Sequence, residues 1–306
     1  MNPPVVRKMA FSFPPDVPFQ WQPRRPALGI FGNLFTFIAV PFERYIVTAI
    51  RRAQDRISDP DIAAEADAFL RQEAQHANAH RKHMQSLIGQ YPALEECYDR
   101  ACKSYDELLS RESLEFNLAY IANLEATFTP VFKVVLDHRE SLFEGADTAV
   151  TSMLTWHFVE EIEHRSSGLV VCNHVAGSRT FRTRHIRSTF RHVKSLSVMA
   201  ADAFDAHVPE RDRLVSAREV VASSRAALGD RVPRLRPKQS AGAEYPAVFE
   251  DVSTAEIGVM IGRLALSQLP FHDPARQPLP QWASVWMREY EKGTDMAAYA
   301  GGLGAG

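Results

Sequence analysis

The sequence lacks several features that identify common classes of protein. Only three of its 306 residues are cysteines (Cys97, Cys102 and Cys172), and no two of them form a Cys-x-x-Cys pair. This odd number fits a reducing compartment better than a disulfide framework, so we expect a cytoplasmic protein. Nucleotide-binding motifs of the Walker or Rossmann kind are also absent.

An excess of charge of one sign is missing as well. The chain carries 35 basic and 37 acidic residues, a formal net charge of −2. We therefore expect no binding to nucleic acid or to an anionic membrane through an overall field. The most apolar run, Ala27 to Phe42, contains Asn33, two glycines and Pro41, and it is shorter than the ~20 residues of a spanning helix. We predict no membrane span.

Alternating Val/Ile/Thr segments long enough for a sheet do not occur, and apolar residues instead recur at helical spacing. The pattern predicts an all-α fold. Four long helices are expected, with these bounds: Leu34 or Pro41 to Ile57, Pro60 to Ile88, Ser113 to His138 and Glu144 to Gly177. Further helical segments are expected over Pro92 to Leu109, Thr183 to His207, Leu214 to Leu228 and Ala255 to Leu269.

The composition along the chain predicts three regions. Residues 1–29 form an extended, proline-rich N-terminal arm, residues 30–178 form the helical body, and residues 179–306 add C-terminal helices and a Pro-rich tail packed on that body. Gly229 to Pro246 is expected to be a loop or linker, and the last seven residues are expected to be disordered.

Each of the four long helices places a carboxylate inside an otherwise apolar stripe. These residues are Glu43, Glu73, Glu125 and Glu161. An unpaired buried carboxylate costs several kcal/mol, while a domain has a net stability of only about 5–15 kcal/mol. The stripes contain no Lys or Arg near these positions, which leaves protons or metal ions as compensation. Two divalent cations would balance four carboxylates.

Histidines accompany two of the four carboxylates at a spacing of three residues. Glu73 and His76 form one Glu-x-x-His pair, and Glu161 and His164 form the other. His157 lies on the same helix face as the second pair, where it is either a further metal ligand or a hydrogen-bond donor to a ligand.

One Glu from each of two helices and a Glu-x-x-His from each of two others resembles the ligand set of ferritin-like di-iron carboxylate bundles. The resemblance covers about residues 30–175 and implies a four-helix bundle with additional C-terminal helices. The His157-x-x-x-Glu161-x-x-His164 segment is similar to that of arylamine N-oxygenase-type di-iron enzymes. The segments around Phe69 to His80 and Trp156 to His164 also resemble a bacterial family labelled predicted metal-dependent hydrolases.

Other polar residues near these positions are candidates for ligand, proton-transfer or surface roles. Glu160 is an alternative to Glu161 as a ligand, although only Glu161 repeats the earlier spacing. His80 and Glu160 are the candidate catalytic residues for proton transfer, and His83 lies near them on the same stripe. We predict that Gln72, Gln75 and Glu163 lie on the surface.

Two chemistries follow from such a site. The first expectation is oxidation of a small organic substrate by O2 at a pair of iron ions, with manganese or zinc as alternative metals. The alternative is hydrolysis by a water activated between two metal ions, and metal storage is the third possibility. An oxygenase would take electrons from a separate donor or from its substrate. A homodimer is also expected.

Overall fold

A computed structural model describes residues 3–229 and 245–299 of the chain. Within these ranges the regular elements are helices and no strand occurs, which confirms the all-α prediction. The longer helices are α1 (Pro26–Ala53), α2 (Pro60–Gln90), α3 (Leu94–Arg111), α4 (Leu114–Asp137), α6 (Thr148–Glu163), α7 (Ser167–Ala176), α8 (Ile186–His207), α10 (Ala217–Gly229), α11 (Thr254–Ser267) and α12 (Gln281–Glu291). Two single turns are α5 (Arg139–Leu142) and α9 (Glu210–Arg213).

Helices α2 and α4 begin where the capping signals predicted. The side chain of Asp59 accepts hydrogen bonds from the backbone N–H groups of Asp61 and Ile62, and Pro60 occupies the first position of α2. Ser113 caps α4 in the same way through the N–H of Phe116. These caps fix the register of the two helices and hence the faces on which Glu73 and Glu125 lie.

Two helix boundaries differ from the prediction. Helix α1 begins at Pro26, eight residues before Leu34, because a proline suits the first helical position and the apolar residues after it are buried. The predicted fourth helix is also not continuous to Gly177. It is interrupted after Glu163, where His164 leaves the helical region and the chain turns before α7.

The interruption brings α7 close to α4. Gly168, near the start of α7, faces Glu125, and a Cβ atom added to it would lie 3.1 Å from Cγ of Glu125. Since real Cβ atoms rarely approach that closely, a larger residue would displace either α7 or the carboxylate. Gly177 then ends α7 in the left-handed conformation, as predicted.

The segment before α1 is extended and packs on the helices. Phe11, Val17, Phe19 and Trp21 are all buried. Trp21 lies so close to Gly32 of α1 that an added Cβ there would meet its ring at 2.5 Å. The arm is therefore part of the core. Its predicted range, residues 1–29, includes the first residues of α1, which begins at Pro26.

Two apolar clusters fill the interior, and the carboxylates mark the boundary between them. On α1 one cluster ends at Val40 and the other begins at Phe42. On α4 the change lies between Leu124 and Phe132. Glu43 and Glu125 therefore lie where the two apolar regions meet, and the same holds for Glu73 on α2. Glu161 lies near the end of α6, whose buried apolar residues belong to the first cluster, while those of α7 from Leu169 belong to the second.

The C-terminal part contributes a helix that the sequence did not predict. Helix α12 lies in the region expected to be a Pro-rich tail, and its Trp282 and Trp286 are buried in the core. Most of the predicted linker (residues 230–244) and the last seven residues lie outside the described ranges.

By length and composition, the helical stretch Pro26–Arg56 could cross a membrane. Its most apolar window is 78% buried inside the protein, as in the core helix of a soluble protein. The absence of a membrane span and the cytoplasmic location stay predictions, as do the four-helix bundle and the three-region division.

Candidate metal centre

Four helices and one turn bring the seven predicted ligands together. Their side chains are at most 3% exposed. The contributions are Glu43 from α1, Glu73 and His76 from α2, Glu125 from α4, His157 and Glu161 from α6, and His164 from the turn after α6. Because Glu161 and His164 are three residues apart at the very end of α6, the interruption of this helix does not separate them.

The ligand atoms of these residues form overlapping groups in which all atoms lie within 4.8 Å of one another. The largest group joins Glu73, Glu125, Glu161 and His164. Three smaller groups are Glu43/Glu73/His76, His76/His157/Glu161 and Glu43/His80/His157. Since Glu73 and Glu161 occur both in the largest group and in smaller ones, two neighbouring candidate positions for a cation share these carboxylates.

The distances around His164 describe the first position. Its Nε2 atom lies 3.2 Å from an oxygen of Glu73, 3.2 Å from an oxygen of Glu161 and 3.6 Å from an oxygen of Glu125. The nitrogen thus faces three carboxylates at once. Such an arrangement of oxygen and nitrogen donors without cysteine suits iron, manganese or another borderline divalent cation.

The second position lies around His76 and His157. His76 Nδ1 is 3.5 Å from Glu161 and 3.8 Å from Glu73. His157 Nε2 is 2.8 Å from Glu161 and 3.7 Å from Glu43, and the two imidazole rings stack with their centroids 4.1 Å apart. One nitrogen of His157 therefore faces the carboxylates, which is the position that a ligand requires.

Many inward-facing atoms of this cluster have no hydrogen-bond partner. They include both oxygens of Glu43, both oxygens of Glu125, one oxygen each of Glu73 and Glu161, Nδ1 of His76 and Nε2 of His164. Buried polar atoms are normally paired, since an unpaired one costs about 1–3 kcal/mol. The residues therefore fit divalent cations, because the unpaired atoms are the donors that cations would bind.

The outward-facing nitrogens of the three imidazoles are, in contrast, all paired. His76 Nε2 lies 3.0 Å from Oε2 of Glu160, and His164 Nδ1 lies 2.9 Å from Oε1 of Gln72. His157 Nδ1 lies 2.7 Å from Nε2 of His80. Partners of this kind fix the tautomer and ring orientation of metal-binding histidines.

The pKa values show how the cluster holds its charge without cations. Burial raises the pKa of Glu43 and Glu125 well above the usual value, and burial together with Glu161 raises that of Glu73. The pKa of Glu161 is lowered despite its burial, because His164 and His157 are close. Although burial lowers it, the hydrogen bond to Glu160 and the nearby carboxylate of Glu73 raise the pKa of His76 to about 10. These shifts favour the protonated, uncharged form of Glu43 and Glu125 when no cation is bound.

The surface positions predicted for Gln72 and Glu163 were wrong, and Glu160 lies away from the carboxylates. Gln72 is buried, because it bridges His164 and the N-terminal arm. Glu163 is not a solvated residue, since it pairs with Arg7 at 2.8 Å. Glu160 is fully buried between His76 and Arg7, at 3.0 and 3.1 Å. It does not face the carboxylates, so it does not replace Glu161 there.

Arg7 was missed by the sequence analysis. It lies in the arm, outside the helical stripes in which Lys and Arg were sought, and its contacts with α6 span more than 150 residues of sequence. Although burial lowers it, Glu163 and Glu160 raise the pKa of Arg7, so its guanidinium stays charged. No periodic signal in the proline-rich arm could have revealed this contact.

Histidines and aromatic rings line the side of the second candidate position that lies next to His157. Burial lowers the pKa of His83 to about 3 and that of His80 well below its usual value, so both are neutral. Thr36 Oγ1 lies 3.0 Å from Nδ1 of His80. The ring of Phe35 lies 5.1 Å from His157 and 5.5 Å from His80. This side of the centre is thus apolar apart from two neutral imidazoles and a hydroxyl.

Comparison with known proteins gave one match. A family described as "Predicted metal-dependent hydrolase" matches residues 5–239, which is most of the chain. Neither the curated proteins nor the solved structures yielded a match to this chain.

Proposed function

Because the chain belongs to the family of predicted metal-dependent hydrolases, we propose that it is a hydrolase whose water nucleophile is activated by two divalent cations. Hydrolysis was the alternative in the sequence analysis, and the family description supports it over oxidation, which was the first expectation. The substrate proposed is a small organic molecule with a hydrolysable ester or phosphoester bond.

A single observation carries the proposal. Four buried carboxylates and two imidazoles turn partnerless atoms towards one another in the middle of an apolar core. We assign Glu125 and His164 to one cation and Glu43, His76 and His157 to the other, with Glu73 and Glu161 between them. Four carboxylate charges then balance two divalent cations, as electroneutrality inside a core requires.

Each part of the centre has a role in this scheme. Two cations bound there would supply an acidified water and would polarise the bond to be cleaved. The carboxylates hold the cations at fixed positions, and the apolar rings of Phe35 and Phe69 exclude bulk water from the imidazoles. His80 holds Nδ1 of His157, and Glu160 holds Nε2 of His76.

The proton-transfer roles suggested for His80 and Glu160 stay predictions. Both residues contact ligand imidazoles, which supports a positioning role for each. Glu160 in particular already accepts hydrogen bonds from Arg7 and His76, and so has little capacity left for a substrate.

The test is hydrolysis of chromogenic esters and phosphoesters by metal-stripped protein reloaded with manganese, zinc or iron(II). We expect cleavage that requires an added cation and that disappears in the Glu161→Gln variant. Tyr120→Phe, a change in a separate hydrogen-bonded cluster, serves as the control and should keep the activity. Metal-loaded protein that cleaves none of these bonds would reject hydrolysis of this substrate class.

A second candidate function is oxidation by O2 at two iron ions. Its support is the aromatic wall, since Phe35, Phe158 and Phe132 offer few polar groups to a charged hydrolytic transition state. Such an enzyme would take its electrons from an external donor or from its substrate. Reduced, iron-loaded protein exposed to O2 should then show a transient visible absorption band, and its absence would remove this candidate.

A further inference from the structure

The two Glu-x-x-His histidines each have an outer partner that no sequence pattern connects to them. His76 donates from Nε2 to Glu160, and His164 donates from Nδ1 to the side-chain amide oxygen of Gln72. These contacts leave Nδ1 of His76 and Nε2 of His164 facing the carboxylates, and both of those atoms are partnerless. Each imidazole therefore has one nitrogen held from outside and one nitrogen open towards the centre.

The outer contacts of both histidines converge on Arg7. Its Nη1 donates to Oε1 of Glu160 at 3.1 Å and to Oε2 of Glu163 at 2.8 Å, and its Nη2 donates to Oε1 of Glu163 at 3.0 Å. Glu163 in turn accepts from Nε2 of Gln72 at 2.8 Å. One path thus runs from Arg7 through Glu160 to His76, and the other through Glu163 and Gln72 to His164.

The direction of the Gln72 amide depends on this arrangement. Its Nε2 donates to Glu163 and also to the backbone oxygen of Val5 at 2.9 Å, so only its Oε1 is free to face His164. An oxygen at that place accepts a hydrogen bond from Nδ1–H and keeps the lone pair of the imidazole on Nε2. The arm therefore selects the tautomer of His164 through Gln72.

The geometry of Arg7 suits this task. The guanidinium is planar, always charged and able to donate to two carboxylates at once, whereas a lysine ammonium offers no fixed fork. It is 4% exposed and lies against the rings of Trp286 and Tyr290 in α12, at 5.9 and 5.3 Å from its Cζ. Its position is thus fixed from two sides, by α6 and by α12.

We propose that Arg7 is a positioning residue of the metal centre, which fixes the tautomer and orientation of both His76 and His164 through Glu160, Glu163 and Gln72. The N-terminal arm thereby completes the outer framework of a site built by the helices. The inference rests on the metal centre of the proposed function, but not on the reaction that the centre performs.

The experiment is a cobalt(II) titration of metal-stripped full-length protein, followed by visible absorption, which reports both affinity and ligand geometry. We expect Arg7→Gln to weaken cobalt binding by about 10- to 100-fold, the usual effect of losing an outer partner of a ligand histidine, and to shift the absorption spectrum. Lys8→Gln is the matched control. This change also removes one positive charge, but from the exposed side chain of the neighbouring residue. It should leave both the cobalt affinity and the absorption spectrum unchanged.

Arg7→Lys guards against a simple folding defect, since it keeps the buried positive charge. We expect it to fold and still show a shifted spectrum, because one ammonium cannot hold both carboxylates. Wild-type affinity and spectrum in folded Arg7→Gln or Arg7→Lys protein would overturn the inference. Cobalt binding that depends on Arg7 without any hydrolysis would instead reject the proposed reaction and uphold the role of Arg7.

Discussion

Two polar clusters lie in the same helical body, one buried and one partly buried at Ser104 and His192, and they differ in how their polar atoms are satisfied. In the carboxylate cluster, the inward atoms of Glu43, Glu125 and their neighbours have no partner. In the second cluster, which we call the tyrosine cluster (Tyr45, Tyr105, Tyr120, His192, Asn117 and Ser104), the side chains pair with one another. Polar side chains that form hydrogen bonds with one another need no ion to compensate their burial.

The tyrosine cluster shows what a purely structural solution looks like. Tyr120 lies 2.8 Å from Nδ1 of His192, whose Nε2 lies 2.7 Å from Ser104. Tyr45 donates to the side-chain oxygen of Asn117 at 2.7 Å. None of these atoms is left unpaired. Single partnerless atoms also occur elsewhere in the core, for example Oδ1 of Asn33 and Nε1 of Trp156, whereas those of the carboxylate cluster lie on side chains that face one another within reach of a cation.

The largest expected effect comes from Glu125→Gln. The amide lacks the charge that binds a cation, so we expect the affinity of the position near His164 to fall by more than about 100-fold, beyond the loss seen for outer partners. Elemental analysis after dialysis should find less than the wild-type metal content. Unchanged content would remove Glu125 from the site.

The same variant should behave in the opposite way without metal. In the wild-type protein the pKa of Glu125 is raised above 4.5. The folded protein therefore binds the Glu125 proton more tightly than the unfolded chain does. The contribution of Glu125 to stability is therefore present at low pH and is lost as pH rises above about 4.5. Glu125→Gln removes this loss, so the metal-free variant should melt at a higher temperature than metal-free wild type near neutral pH.

Metal removal is expected to have the next largest effect. Cations that bind only the folded state stabilise it by about 2.7 kcal/mol at a free concentration of 100 times the dissociation constant. Calorimetry should therefore show a higher melting temperature with manganese, zinc or iron(II), and a chelator should reverse it. Equal melting temperatures with and without cations would contradict a site in the core.

The smallest effect is predicted for Tyr120→Phe. This change leaves Nδ1 of His192 without its partner, so the free energy of unfolding should fall by about 1–3 kcal/mol. Because the tyrosine cluster satisfies itself, metal content and cobalt spectrum should stay as in wild type. Metal loss in this variant would show that the two clusters are coupled.

The sequence predicted the parts of the structure that repeat with a local period. Apolar spacing and caps located α2 and α4, and the stripes brought Glu43, Glu73, Glu125 and Glu161 to notice because a carboxylate interrupts a regular pattern. The structure brings these residues together with His76, His157 and His164. Their role as metal ligands stays a prediction.

What depends on distant contacts could not be predicted in this way. The break after Glu163 places Gly168 of α7 against Glu125 of α4, and this contact between helices has no local signal in the sequence. Gln72 and Glu163 looked like surface residues because the arm that covers them has no helical period. The contacts of Arg7 could not be predicted for the same reason. Helix α12 was not predicted because prolines occur on its N-terminal side.

The central claim is that the seven inward-facing side chains hold two divalent cations. Anomalous diffraction from crystals of manganese-loaded protein tests it most directly. We expect two anomalous peaks among the side chains Glu43, Glu73, His76, Glu125, His157, Glu161 and His164. A well-ordered crystal of the loaded protein with no peak at this cluster, or with peaks only at surface carboxylates, would contradict the account.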